Sequence, residues 1–174
     1  MADPNTPDVD WLTADENAAW VAFTDLLFRL PGTLDSHLQR TCELTFYEYM
    51  VLAMLSEQPD RTLGMGTLAG LTSGSLSRLS HVVKRLEHAC YVTRQRDTAD
   101  KRHMNATLTD AGYDKIVASA PAHVTHVREL IFDHLNADQV TQLQTISDTL
   151  RDGLATPSPG AAATCDALHK SQGT

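Results

Sequence analysis

The stretch Thr72-Ser73-Gly74-Ser75-Leu76-Ser77-Arg78-Leu79-Ser80-His81-Val82-Val83-Lys84-Arg85-Leu86-Glu87-His88 decides the fold. At about 100° per residue, Leu76, Leu79, Val82, Val83 and Leu86 fall within an arc roughly 120° wide, and Ser77, Arg78, His81, Lys84, Arg85 and His88 lie opposite. One helix face is therefore predicted to be buried and the other to carry basic and hydroxyl groups. Thr72-Ser73-Gly74 supplies turn chemistry and a cap ahead of it. Gly66 to Leu71 reads as a short preceding helix. Two short helices joined by a Gly-containing turn, the second polar and basic on its outer face, describe a helix-turn-helix.

Downstream, Tyr91 to Arg96 and His103 to Leu108 alternate as strands do around the charged tip Asp97 to Arg102, which predicts a hairpin wing. Thr109 caps a long helix through Asp133, with Ile116, Val117, Val124, Val127, Leu130 and Ile131 as its apolar residues and a bend expected at Pro121. Asn136, with Gln139 three residues on, opens a last helix carrying Val140, Leu143, Ile146 and Leu150. Upstream, Thr45 and Glu48 form a capping box with a Leu44/Tyr49 staple, and the apolar run Met50 to Leu55 predicts a largely buried helix. Gln58 to Arg61 reads as a turn leading into a short strand at Leu63 and Met65. A Thr13/Glu16 capping box opens the first helix, whose stripe Trp20, Phe23, Leu27, Leu30, Leu34 and Leu38 is interrupted at Pro31-Gly32, where a kink or a split is expected. The predicted class is mainly α with a small β-hairpin wing (α+β).

The chain has 174 residues, enough for one sizeable domain, and one cooperative unit is expected. No apolar run approaches a membrane span, and Met1 to Asp10 lacks the basic and apolar regions of a signal peptide, so a cytoplasmic protein is predicted. Cys42, Cys90 and Cys165 are widely separated and share no metal-ligand spacing, so reduced structural thiols are the default. The net charge of -8 argues against a nucleic-acid partner until it is divided. Residues 72 to 104 hold seven Lys or Arg against three acids, a balance of +4, while the rest holds seven against nineteen, -12. Counterion release depends on local phosphate contacts, so a basic patch on an acidic body suits DNA, and the body discourages indiscriminate binding.

An α-helix fits the major groove, where base edges are distinguishable, so the outer face of residues 75 to 88 is the natural reader, with Arg78 and His81 as base-reading candidates. Lys84 and Arg85 extend the same basic face. Ser73, Ser75 and Ser77 lie at the helix start, where hydroxyls, free N-H groups and the helix dipole suit a phosphate. For this helix alone an ordinary solvated face is the preferred reading of the pattern. An Arg extended from a hairpin tip can enter a narrow A·T-rich minor groove, which gives Arg102 a defined role, and Asp100 can brace it through charge-assisted hydrogen bonds. Arg94, Arg96 and Lys101 are placed for phosphate contacts. The competing reading is a charged hairpin that only avoids edge pairing.

Asp100-Lys101-Arg102 followed by Leu108-Thr109-Asp110-Ala111-Gly112 resembles the D-x-R-x-x-x-x-x-L-T-x-x-G signature of the MarR family of transcriptional regulators at every specified position. The resemblance extends from about Ala14 to Leu154. It implies a homodimer built from the first, fifth and sixth helices, two wings, and a repressor on pseudo-palindromic operators in double-stranded DNA. Apolar stripes on the terminal helices, with little neighbouring chain to cover them, fit a shared dimer core. The expected organisation is a flexible segment 1–12, a dimerisation helix 13–43, a winged helix-turn-helix region 44–109, C-terminal dimerisation helices 110–154 and a disordered tail 155–174.

The resemblance also implies a small, often aromatic, effector, for which Trp20, Phe23, Tyr47 and Met50 with His37 are candidate lining residues, although aromatic residues at helical spacing need only packing to explain them. His123 and His126, at i and i+3 near Asp133 and His134, suggest a metal-binding helix face, but no cysteine or tight carboxylate cluster completes a site. No metal or cofactor is therefore expected. The absence of a nucleophile motif, Gly-rich phosphate loop or paired carboxylates argues against an enzyme. Two alternatives stand beside the regulator: a winged fold that binds a protein partner, and a thiol-based redox regulator through Cys42, which sits beside Arg40 and Glu43.

Overall fold

The computed structural model describes residues 9–97, 100 and 102–155. Thr13 caps α1 (Ala14–Cys42) with both halves of the capping box in place. Thr45 does the same for α2 (Phe46–Ser56), and the staple pair Leu44 and Tyr49 is buried. β1 (Thr62–Gly64) leads into α3 (Met65–Leu71) and α4 (Leu76–His88), then β2 (Val92–Arg96) and β3 (Met104–Leu108), α5 (Asp110–Leu130), a 3-10 turn (Phe132–His134) and α6 (Ala137–Ala155). The antiparallel sheet has the order β1-β3-β2, with Val92 opposite Leu108 and Thr62 opposite Thr107. Of the expected segments, 1–12 and the tail 155–174 fall mostly on residues outside the described ones.

Contacts divide the chain into two compact units, one through His126 and one from Val127. Physically, α6 buries none of its described side chains. The first unit holds the core. Leu38, Val51, Leu52, Leu55, Leu68, Leu79, Val83 and Ala106 are 0% exposed. Full burial of each leucine or valine among them contributes about 1.5–3 kcal/mol. In the second unit, Asn136 and Gln139 exchange the backbone hydrogen bonds of their predicted capping box, and Arg128 pairs with Asp133 at 3.2 Å.

Two expectations need correction. Of the kink or split expected at Pro31, the split does not occur, because α1 runs continuously for 29 residues. Pro31 is exposed, so the carbonyl it leaves without a helical donor remains open to solvent rather than buried. Leu76, assigned to the buried arc, is 56% exposed. It is the first residue of α4, and because Cα–Cβ bonds tilt toward a helix N-terminus it covers the space before the helix rather than the core beneath. The α1 stripe is, as expected, largely uncovered within one chain: Trp20, Phe23 and Leu27 are exposed at 54%, 42% and 52%, and only its Leu34–Leu38 end is buried.

At that buried end α1, α2 and α5 bring three histidines together. The His37 and His126 rings stack at 3.8 Å, and His123 lies against Tyr49 at 4.3 Å. His37 Nε2 and His123 Nδ1 are buried without hydrogen-bond partners. Among the described residues no His, Cys, Asp and Glu grouping could hold a metal ion. Burial, then the charges of His37 and His126, lower the His123 pKa below its usual value. Folding thus favours neutral His123. That contribution is fully present above the unfolded pKa of about 6.5 and is lost as pH falls below it. Thermal melts from pH 8 to 5 should show Tm declining on the acid side, and His123→Phe should flatten the decline; an unaltered slope would contradict the assignment.

Candidate nucleic-acid interface

The turn between α3 and α4 is a Schellman motif: Gly74 N-H donates to the Ala69 carbonyl at 3.0 Å and Ser73 N-H to the Gly70 carbonyl at 3.2 Å. Ser73 takes the left-handed position, φ 49°, usually filled by glycine. The end of α4 repeats the device. Tyr91 N-H donates to Leu86 and Cys90 N-H to Glu87, both at 2.9 Å, with Cys90 at φ 61°. Both α3 and α4 therefore end in left-handed turns, so one such turn stands before α4 and another after it.

Ser75 is the N-cap of α4, its Oγ accepting from Arg78 N-H at 3.2 Å. Ser77, Arg78, His81 and Lys84 are exposed on the face opposite buried Leu79, Val82, Val83 and Leu86. Arg85, on the same face, gives its Nε to Glu48 at 3.0 Å, and Glu48 also completes the α2 capping box. Arg94 in β2 pairs with Glu87 of α4 at 2.6 Å. These two pairs escaped the sequence reading because each partner sits on a different element. Arg96 is exposed at the end of β2, opposite Met104. Lys101 lies outside the described residues.

At the wing tip Asp97 accepts Asp100 N-H through Oδ1 and the Asn105 amide through Oδ2, at 3.0 and 2.8 Å. Asp100 then takes the Arg102 guanidinium in a fork, Nε and Nη2 at 3.0 and 2.7 Å, and the Arg102 backbone N-H at 3.0 Å. Arg102 is 87% exposed, so the charge is oriented yet presented outward. The side-chain bonds, then the backbone bond, lower the Asp100 pKa to about 2, and the brace stays ionised until the pH falls that low.

The segment returning from the wing is tied down at three points. Leu108 is 3% exposed. The Thr109 hydroxyl donates to the Cys90 carbonyl at 2.7 Å and accepts from Gly112 N-H at 3.0 Å. A Cβ on Gly112 would lie 2.1 Å from the Tyr91 carbonyl oxygen, so no larger residue fits.

The structure does not gather the five candidate ligand residues. An open cavity of about 1020 Å³ lies against Phe46, Tyr47, Thr72, Arg78 and His81; of the five, Tyr47 alone lines it. Trp20 and Phe23 are exposed, Met50 packs partly buried on the core, and His37 stacks on His126. A second cavity, about 700 Å³, separates Leu76 of α4 from Arg102 and Met104 of the wing. Cys42 is 7% exposed with its Sγ 4.0 Å from the Ser119 carbonyl, whereas redox sensing needs an accessible thiolate. Cys90 is exposed.

A helix pair joined by a tight turn, backed by a three-stranded sheet with a basic tip, defines a winged helix-turn-helix regulator. A family model described as transcriptional regulator SarA/Rot matches residues 33–118. The chain is 39% identical to Sco3205, a MarR family transcriptional regulator from Streptomyces coelicolor solved in complex with DNA, at a TM-score of 0.80 over 85% of this chain and 96% of that one. AbsC, a MarR family transcriptional regulator from the same organism, is 34% identical at a TM-score of 0.78, over 84% and 98% of the two chains. The HTH-type transcriptional regulator TtmR of Methylorubrum extorquens is 39% identical over 71 residues, which are 40% of this chain and only 35% of that protein. The chain belongs to the MarR family of transcriptional regulators. Among its described residues no helix is long and apolar enough to cross a membrane.

Proposed function

We propose that the chain acts as a homodimeric repressor that reads a pseudo-palindromic DNA operator and is released by a small aromatic ligand. The observation that carries the DNA reading is the joint presentation of an exposed basic face on α4 and an Arg102 guanidinium braced outward by Asp100. The helix supplies groups that can read the major groove, and the wing supplies a charge suited to the minor groove. The DNA complex of Sco3205 supports this reading by kinship.

Support for a dimer comes from apolar surface left uncovered within one chain: Trp20, Val21, Leu26, Leu27 and Phe28 on α1, and Ile146, Leu150 and Leu154 on α6. Such surface on a soluble domain marks an interface. A ligand in the cavity beside Tyr47 would contact Arg78 directly and so bear on the reading face.

Selection from random duplex DNA followed by footprinting tests the proposal. Two protected half-sites about one helical turn apart are expected, with affinity falling about 10³-fold or more between 50 and 200 mM salt. Binding that is indifferent to both sequence and salt would exclude it. Transcription from a promoter carrying the selected site should fall when the protein is added; a rise would make it an activator.

A further inference from the structure

We infer that Tyr47 is a positioning residue for base reading, its ring a shelf that holds the Arg78 guanidinium in the orientation with which it approaches the groove. The inference rests on the DNA reading proposed above. Arg78 Cζ stands 4.5 Å from the Tyr47 ring centroid, a cation-π arrangement between the first turn of α2 and the first turn of α4.

The shelf is itself fixed. Thr72 Oγ1 donates its one proton to the Leu68 carbonyl at 2.8 Å, so at 2.9 Å the Tyr47 hydroxyl must be the donor to Thr72. That bond anchors the ring to the turn of the helix-turn-helix. A Cβ at residue 74 would fall 1.9 Å from Tyr47 Oη and 2.8 Å from Cζ. Among the described residues no glycine has positive φ, so Gly74 is needed for the room it leaves the ring rather than for its dihedral freedom.

The adjacent residue completes a bracket. Glu48 holds Arg85 at 3.0 Å, and Arg85 lies seven residues, two helical turns, beyond Arg78 on the same stripe of α4. Consecutive residues of α2 thus hold the two arginines that bound the reading stripe. An unsupported arginine gives up rotamer freedom when it settles on a base edge. One already laid on a ring gives up less, and the difference appears as preference for the right sequence.

The full chain should be assayed with the duplex it selects from random DNA and with an unrelated duplex. Tyr47→Leu is expected to lower the preference for the selected duplex about three- to fivefold, with affinity for the unrelated duplex unchanged. Tyr47→Phe keeps the ring and should retain most of the preference. In an Arg78→Ala background, Tyr47→Leu should cost nothing further. Equal losses on both duplexes, or an undiminished loss in the Arg78→Ala background, would overturn the inference. Should Tyr47→Leu not fold, the Arg78 Nε-H resonance of the wild-type chain, assigned by its disappearance in Arg78→Lys, decides: a ring-current upfield shift supports the shelf and a random-coil position refutes it. A wild-type chain that prefers no sequence removes the DNA reading and this role with it. A wild-type preference untouched by Tyr47→Leu removes the role alone.

Discussion

Gly112→Ala should lower stability by about 2–4 kcal/mol and Tm by about 10 °C or more. The added methyl would meet the Tyr91 carbonyl oxygen at 2.1 Å and Leu108 Cδ1 at 2.7 Å, one a backbone atom and the other a core side chain. Neither can move alone. The Thr109 N-H bonds the same Tyr91 carbonyl at 3.0 Å, and the Thr109 hydroxyl holds Cys90, so the strain spreads into the end of α4 and the base of the wing. Gly70→Ala is the control: nothing lies within 4 Å of a Cβ there, and alanine is the better helix former. Circular dichroism melts of the two variants should move in opposite directions or leave Gly70→Ala unchanged. A Gly112→Ala protein melting within a degree or two of wild type would show that the close approach carries no energetic weight.

Arg102→Ala should weaken binding to the selected duplex tenfold or more, with Tm unchanged. The guanidinium is 87% exposed and, among the described residues, paired with Asp100 two positions earlier, which is itself open to solvent, so its removal strands no buried group. On DNA the same group would lie in a narrow groove of concentrated negative potential, where a lost charge matters most. The salt dependence should become shallower by about one counterion. Asp100→Asn separates orientation from charge. It leaves the arginine in place but weakens the fork, so a smaller loss with an undiminished salt slope is expected. Gel-shift affinity unaltered in Arg102→Ala would remove the wing from the proposed interface.

Locally coded features were legible in the sequence. The capping boxes at Thr13, Thr45 and Asn136 depend on residues three apart, and all are present. The amphipathic face of α4 and the two wing strands follow from the two periodicities, 3.6 and 2, and appear with nearly the expected bounds. What was not legible depends on partners distant in sequence. Tyr47 reads as one more helical aromatic until Thr72, Gly74 and Arg78 are set around it. Nothing in the spacing of Glu48 and Arg85, or of Glu87 and Arg94, announces a pair. Gly112 was visible as part of a signature, but its reason, the Tyr91 carbonyl, belongs to a turn twenty-one residues away. Leu76 was misplaced because a helical wheel treats the first residue like any other, although it has no preceding turn to cover.

The two left-handed turns that flank α4, at Ser73 and Cys90, also bear on how this protein can change over time. With both ends fixed and the inner face occupied by Leu79, Val82, Val83 and Leu86, the frame of the helix does not depend on what stands at Ser77, His81 or Lys84. Those three positions are free to drift. On the proposed DNA reading, a duplicated copy could acquire a new DNA address by substituting them one at a time, each intermediate remaining folded, while Arg78 keeps its place on the Tyr47 ring and Arg85 its pair with Glu48.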